Sequence, residues 1–329
     1  MPKVLITGVA GLIGSHFSAY LADKGYQVFG VDDLSGGYRD FIPSMITFYE
    51  LDLSDRDELA KLFIDVKPDY VYHFAAYAAE GLSPFIRNFN YQNNLVCSIN
   101  VINECIKNSI KKIIFTSSMA VYGIGNPPFT EEQIPHPEDP YGISKYAVEM
   151  DLRQAKSQFG LDYIIFRPHN VIGIYQNIWD KYRNVIGIWI RNVLVGKSIV
   201  IFGDGEQKRA FSDIKFCLPT MEKVMTQFSG EIFNLGSDKE YTLNEAAQIM
   251  QAVSKEFGYS PAIEHLEARQ EVKNAYCSHE KAKKLLDFRD ETILMETVRE
   301  MFTWAIKQPP REVKEMNYEI DKGMYRYWK

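Results

Sequence analysis

The chain has 329 residues and a formal net charge of −6, with acidic and basic residues interspersed. That length allows a large core and is long for a single doubly wound layer, and the charge pattern offers neither a nucleic-acid groove nor a membrane-binding surface. No stretch approaches the ~18 uninterrupted apolar residues of a membrane span. The N-terminus leads straight into a strand, with no signal segment. Cys97, Cys105, Cys217 and Cys277 are scattered and form no CxxC pair. No His/Cys/acid cluster has metal-ligand spacing, so a cytoplasmic protein with reduced thiols and no bound metal is expected.

Lys3-Val4-Leu5-Ile6 is a short apolar run suited to a buried parallel strand. It opens into Thr7-Gly8-Val9-Ala10-Gly11-Leu12-Ile13-Gly14, then a helical stretch to about Lys24. A second strand, 27–31, ends on Asp32-Asp33. The order outlines a dinucleotide site: Gly8 for a tight turn, Gly11 for close approach of backbone amides to a pyrophosphate, and Gly14 for close helix–strand packing. The helix N-terminus then faces the phosphates with its partial positive charge. Asp32, at the tip of the second strand, is placed to accept hydrogen bonds from both hydroxyls of an adenosine ribose. A 2′-phosphate would meet Asp32 and Asp33, with no basic residue before Arg39. NAD is favoured over NADP.

Strand and helix patterns then alternate. Strands are predicted at 46–51, 70–74, 112–116 and 162–166, and helices at 54–63 (capped by Ser54), 90–108 and 141–159. This is the pattern of a parallel sheet with helices on both faces. After Arg167-Pro168 the texture changes, with an apolar run at 198–202, a strand at 232–235, and helices at 242–257, 278–286 and 291–306. Thr242 and Glu245 form a capping-box pair. The expected fold is α/β: a Rossmann-type doubly wound sheet with a smaller, discontinuous C-terminal lobe. Residues 1–168 make the NAD-binding domain, 211–235 return to it, and 169–210 with 236–329 make the substrate lobe.

The chemistry centres on Thr116-Ser117-Ser118 at a strand end and on Tyr141 and Lys145 in Tyr141-Gly142-Ile143-Ser144-Lys145. Ligands of open parallel sheets bind beyond the carboxyl ends of the strands, which places Ser118 at the reactive edge. Tyr141 and Lys145 are four apart on one helical face. Lowering a tyrosine pKa from about 10 to about 7 takes ~4 kcal/mol, for which the Lys145 ammonium and a nicotinamide cation are the expected sources. Tyr141 would then take a proton from an alcohol while hydride leaves the same carbon for NAD.

TGxxGxxG, the acid at the second strand, Ser-Ser-Met-Ala-Val-Tyr-Gly at 117–123 and YxxxK together resemble the extended short-chain dehydrogenase/reductase superfamily. Within it the chain is most similar to the NAD-dependent sugar-nucleotide epimerase/dehydratase family, over nearly its whole length. The resemblance implies Leu12, Ile13, Asp52, Leu53, Phe74, Ala75, Ala76, Asn94, Ser117, Pro168 and His169 as further cofactor contacts. It implies a nucleotide-diphosphate sugar as the partner, with Ser118 at the reacting hydroxyl, Asn170 at the sugar or its phosphate, and Arg209 and Arg269 clamping the diphosphate. Tyr276 falls where the family limits room for an N-acetyl group. Dehydratases and decarboxylases of the family place acids just after the equivalent of Ser118; here Met119 and Ala120 follow it. Oxidation at C4 remains, with hydride returned as a 4-epimerase or the ketone released as a 4-dehydrogenase. A catalytically idle NAD-binding protein is the alternative from another class. The family also implies a homodimer built on the 90–108 helix (Leu95, Ile99, Ile102, Ile106) and the 141–159 helix (Ala147, Met150, Leu152). Trp179, Tyr182 and Trp189 are candidates for base stacking or for lobe core alike. Ser212-Asp213-Ile214-Lys215-Phe216 departs from the family pattern, which leaves the start of the next helix open.

Overall fold

The computed structural model describes all residues except Gln270, Lys314 and Lys329. In chain order its first half runs β1 (Lys3–Thr7), α1 (Leu12–Asp23), β2 (Gln27–Asp32), β3 (Thr47–Glu50), α2 (Arg56–Val66) and β4 (Tyr70–His73). Next come α3 (Arg87–Tyr91), α4 (Cys97–Lys107), β5 (Lys112–Thr116), α5 (Pro140–Phe159) and β6 (Tyr163–Pro168). The second half holds β7 (Val171–Ile172), α6 (Val185–Leu194), β8 (Ile199–Phe202), β9 (Lys208–Ala210), β10 (Ser212–Asp213), α7 (Ile214–Lys223) and β11 (Glu231–Leu235). It finishes with β12 (Glu240–Thr242), α8 (Leu243–Glu256), β13 (Ile263–Leu266), β14 (Asn274–Ala275), α9 (Glu280–Leu286) and α10 (Leu294–Ala305).

Seven strands form one sheet in the order β11-β6-β5-β4-β1-β2-β3, every pair parallel. Its central strands are apolar on both faces, as a sheet covered on both sides requires. Leu5, Val71, Ile113 and Ile165 pack into one core layer with α2, α4 and α5. Val4, Ile6, Tyr72, Ile114 and Ile164 pack into the other with α1, α7 and α9. A third core, around Trp189, Ile190, Ile201, Met250, Val298 and Phe302, joins α6, α8 and α10 under the short sheets β13-β8 and β12-β9-β14. β11 adds to the main sheet beyond β6, so the chain returns there after β7 to β10.

Several helix ends differ from the sequence reading for identifiable reasons. Asp55, not Ser54, caps α2: its carboxylate accepts the N–H groups of Asp57 and Glu58, two orphan donors of the first turn. The helix predicted at 90–108 starts earlier, at Arg87, and passes through a π-helical turn, Gln92–Val96, before α4. Asp213 settles the open helix start by capping α7 through the Lys215 N–H. The Thr242–Glu245 capping box forms at α8 as expected.

Candidate active site

A cleft of about 990 Å³ lies along the carboxyl ends of the strands, between the sheet and the segments that follow β6. Its first wall is the β1–α1 turn. Gly8 has φ +72°, and a Cβ there would stand 2.7 Å from the Ala75 nitrogen; a Cβ on Gly14 would run into the Gly8 carbonyl. These two contacts bring α1, β1 and the 74–76 segment together. Gly11 caps α1 without a side-chain hydrogen bond, and it lines the cleft with Leu12 and Ile13. The first N–H groups of α1 therefore serve an anion in that space.

Asp32 lies at the end of β2, with its carboxylate accepting the Ala10 N–H at 3.0 Å and the Leu34 N–H at 2.8 Å. Burial raises its pKa, and these two bonds oppose the shift. The bonds aim the carboxylate, and its remaining lone pairs suit ribose hydroxyls. Asp33, Asp52, Leu53, Phe74, Ala75 and Ala76 also line this half. Along the chain no basic residue follows Asp32 and Asp33 before Arg39, but in space a distant one does. Arg183, from the segment before α6, reaches the Gly36 turn and acts on Asp32. Its guanidinium is paired with Asp180 at 2.9 Å and stacked 4.6 Å from the Tyr77 ring centroid, so the acids keep their character. A cradle of tight glycines, an uncapped helix start and a buried strand-end acid fits a dinucleotide.

Asn94 does not face the cleft. It is fully buried, accepts the Tyr77 N–H at 2.8 Å, and donates to the Tyr77 carbonyl and to Asn90. Its neighbour Asn93 lines the cleft instead. Asn94 thus fixes the loop that carries Tyr77.

The reactive end is built on β5 and α5. Asp139 caps α5 through the Gly142 N–H at 3.0 Å, with Pro140 at the first helical position. That start sets Tyr141 in the cleft lining beside Ser118, whose hydroxyl accepts the Ala120 N–H at 3.1 Å. Lys145, one turn on, donates to the Thr116 carbonyl at 2.9 Å. Ser117 lines the cleft, but its hydroxyl is engaged with Glu149 at 2.6 Å. Glu149 in turn holds Arg167 in a fully buried ion pair. Removing either partner of such a pair would leave a buried charge unpaired, at several kcal/mol.

The electrostatics differ from the sequence expectation. Burial raises the Tyr141 pKa above its usual range, and the Ser118 hydroxyl opposes that shift. Burial lowers Lys145 to about 7, with Glu149 acting against it. Lys145 sits 5.9 Å from the Tyr141 ring centroid and is committed to Thr116. It does not by itself lower the tyrosine.

Beyond β6, Pro168, His169 and Asn170 line the cleft. Asn170 takes a left-handed φ of 39° and donates to the Ala210 carbonyl at 3.1 Å. His169 is buried and faces His279, which is bonded to Asp238. Arg209 and Arg269 converge on one carboxylate, Glu271, at 3.3 and 3.4 Å. Arg209 also donates to the carbonyls of Lys208, Val272 and Lys273. Arg269 stacks 4.5 Å from the Phe202 centroid.

Tyr276 lies outside the cleft lining. Ala275 is the residue that faces it, and the charge of Glu240 acts on Tyr276. Trp179 packs in the lobe core against Tyr38, Trp304 and Arg311. Trp189 is fully buried, with its indole N–H on the Val200 carbonyl, and only its edge joins the lining. Tyr182 lines the cleft and bonds Tyr318. Lining residues that the sequence reading missed are Tyr77, Glu80, Arg183, Asn184, Phe202, Tyr325, Tyr327 and Trp328.

Among the described residues no helix is long and apolar enough to cross a membrane, and no group of three or more His, Cys, Asp or Glu could hold a metal ion.

Residues 4–236 match the NAD dependent epimerase/dehydratase family. UDP-glucose 4-epimerase of Halalkalibacterium halodurans is 29% identical over 328 residues, covering 93% of this chain and 96% of that protein. The crystal structure of UDP-glucose 4-epimerase from Thermotoga maritima with UDP-glucose superposes with a TM-score of 0.87 at 30% identity, over 93% of this chain and 99% of the other. UDP-N-acetylglucosamine 4-epimerase of Methanobrevibacter ruminantium, solved with UDP-N-acetylmuramic acid, gives a TM-score of 0.84 at 32% identity, over 93% and 98%. With the glycine turn, the strand-end acid and the Ser118–Tyr141–Lys145 constellation in one cleft, this chain belongs to the NAD dependent epimerase/dehydratase family.

Proposed function

We propose that this enzyme interconverts the C4 epimers of a nucleotide-diphosphate sugar. The observation that carries the reading is Ser118 and Tyr141 lining the cleft together, with Arg209 and Arg269 converging on Glu271 in the same cleft. A sugar diphosphate laid between them puts a ring hydroxyl at the phenol and its phosphates at the arginines. Tyr141 takes the proton of the C4 hydroxyl and returns it to the same oxygen once the 4-keto sugar has turned in the cleft to present its opposite face, and Ser118 holds the reacting oxygen. Lys145, tied to the Thr116 carbonyl, fixes the helix face and would donate to the nicotinamide ribose. NAD held there would supply the hydride acceptor for C4 and the donor that returns hydride to its opposite face. Its cradle is Gly8, Gly11, Leu12, Ile13, Gly14, Asp32 and Asp33, closed by Asp52, Leu53, Phe74, Ala75 and Ala76. Ser117, Pro168 and His169 wall the nicotinamide end.

Met119 and Ala120, after Ser118, carry no acid or base for elimination, which supports return of hydride over dehydration. Residues 1–168 with 211–235 form the cofactor domain in this reading, and 169–210 with 236–329 the substrate lobe. The four buried free cysteines support a reducing cytoplasmic setting. A homodimer through α4 and α5 completes the proposal. The apolar residues left outermost there are Ile143, Met150 and Phe159 on α5 and Val96 just before α4, with Ile99 and Ala147 half-buried beside them. Ile102 and Leu152, grouped with the dimer residues in the sequence reading, fill the sheet core.

The test is turnover of UDP-, GDP- and CDP-hexoses followed by mass spectrometry and product sugar analysis. The expected result is the 4-epimer with no net NADH. Stoichiometric NADH with a released keto sugar would make the enzyme a 4-dehydrogenase instead.

A further inference from the structure

Glu80 opens the short 3₁₀ turn Glu80–Phe85, which is stapled to the start of α5. The Ser83 hydroxyl shares its proton between the Glu80 carbonyl at 2.8 Å and Asp139 at 3.1 Å, and it accepts the Tyr141 N–H at 3.2 Å. The residue carrying this acid is therefore fixed to the turn that carries the reacting tyrosine. The Glu80 side chain is exposed to the interior of the cleft and surrounded by protein.

The groups that act on it are Asp139, Arg209, Glu271 and Arg269, and no hydrogen bond from a described residue is among them. The other two acids are engaged. Asp139 accepts the Gly142 N–H and the Ser83 hydroxyl, and Glu271 takes Arg209, Arg269 and Gln207. Glu80 is thus the acid of this cluster left for a ligand. Its charge acts on Tyr141 and also on Arg209, which places it along the space between the reacting carbon and the diphosphate.

We propose that Glu80 sets the sugar class: its carboxylate accepts hydrogen bonds from hydroxyls along the edge of a neutral hexose and excludes hexuronic acids by like charge. The inference rests on the nucleotide-sugar reading above and adds the substrate class to it. A site built to accept from a hydroxyl discriminates strongly, because a wrong partner leaves a confined polar group unpaired. A second carboxylate in the same space adds direct repulsion. Burial and the nearby Asp139 raise the pKa of Glu80, so the contrast is sharpest in alkaline solution.

The experiment compares kcat/KM for UDP-glucose and UDP-glucuronic acid at pH 9, in the wild type and in Glu80→Gln, with UDP binding measured by calorimetry. The wild type is expected to favour the hexose by about a hundredfold, and Glu80→Gln to cut that ratio at least about tenfold. The UDP Kd is expected to stay within about twofold, since UDP carries no sugar. An unchanged ratio overturns the proposal. So does a UDP Kd that shifts in step with the sugar KM, because Glu80 would then act through the arginines. A 4-keto-6-deoxy product that the wild type forms and Glu80→Gln does not would make Glu80 an eliminating acid and overturn it as well. If neither these sugars nor a GDP- or CDP-hexose is turned over, the 4-epimerase reading fails on its own. The Kd ratio of the two UDP-sugars in the two proteins then decides the role of Glu80.

Discussion

The Nε2 atoms of His169 and His279 lie 3.0 Å apart. His279 Nδ1 meets Asp238 at 2.9 Å, and His169 Nδ1 meets the Ala210 carbonyl at 3.3 Å. Burial, then the charge on His279, holds His169 down at about 3. Burial does the same to His73, between Thr7 and Ser98.

His169 and His73 bind protons more readily in the unfolded chain, so stability rises with pH from about 3 to the ordinary histidine value of 6.5 and is lost as pH falls through that window. Each contributes up to about 1.4 kcal/mol per pH unit there. The raised carboxyls of Asp32 and Glu131 act in the opposite sense, so the useful quantity is a difference. Denaturant titrations at pH 6.5, 5.5 and 4.5 should show a shallower acid loss in His169→Asn than in the wild type. Parallel slopes would refute the assignment of a neutral, buried His169.

Tyr141→Phe should lower kcat by about two to four orders of magnitude, the usual worth of a positioned acid–base group, with substrate KM little changed. Lys145→Met should lower kcat as well and also weaken NAD retention, because its ammonium is the ribose donor in this reading. Cofactor content after gel filtration checks the second effect. If every turnover survives Tyr141→Phe, the assigned chemistry is wrong.

The two arginines should separate in mutagenesis. Arg269 touches Glu271 and the Phe202 face, with no bond to a backbone carbonyl among the described residues, whereas Arg209 ties three carbonyls together. Arg269→Ala should raise substrate KM by one to two orders of magnitude, the loss of roughly 1.5–3 kcal/mol from a charged hydrogen bond, at unchanged melting temperature. Arg209→Ala should raise KM and also lower thermal stability, since the Val272 and Lys273 carbonyls lose their donor. NAD occupancy should hold in both. Equal loss of cofactor and substrate would place these arginines outside the diphosphate site.

Met150 is half exposed and Val96 nearly so, on the outward faces of α5 and next to α4. Burying both in an α4–α5 contact predicts a dimer near twice 37.9 kDa by light scattering. Met150→Glu should dissociate it without unfolding the sheet, because neither residue belongs to the buried core. A wild-type monomer at micromolar concentration would end the proposal.

Much of this molecule was readable before folding. The strand predicted at 112–116 matches β5 residue for residue, since an apolar β-branched run buried on both faces has one fit. The glycine turn and the Tyr141–Lys145 spacing were legible because their geometry is local. Asn93 and Asn94 were not separable, because the π-helical turn Gln92–Val96 breaks the 3.6-residue phase on which any face assignment depends. Tyr276 was placed in the cleft where Ala275 belongs; neighbouring residues of a strand point to opposite sides, and the register fixing β14 against β9 comes from distant residues. Glu80 and Arg183 carry no local signature. Only the packing of their segments against α5 and Tyr77 brings them to the site.

Glu271 gives the second half of the cleft the character of an ion exchanger. The two guanidiniums already hold an anion in the free protein, so an arriving diphosphate replaces one negative group by another. The displaced carboxylate keeps the Gln207 amide as its donor, at 3.0 Å. The net gain is then a difference between two paired states, much smaller than the attraction of a bare arginine pair for phosphate. Affinity should accordingly respond weakly to ionic strength, unlike sites whose cations wait unpaired. Glu271→Gln would convert the cleft to that second kind, holding UDP more tightly at low salt and losing the advantage steeply as salt is added.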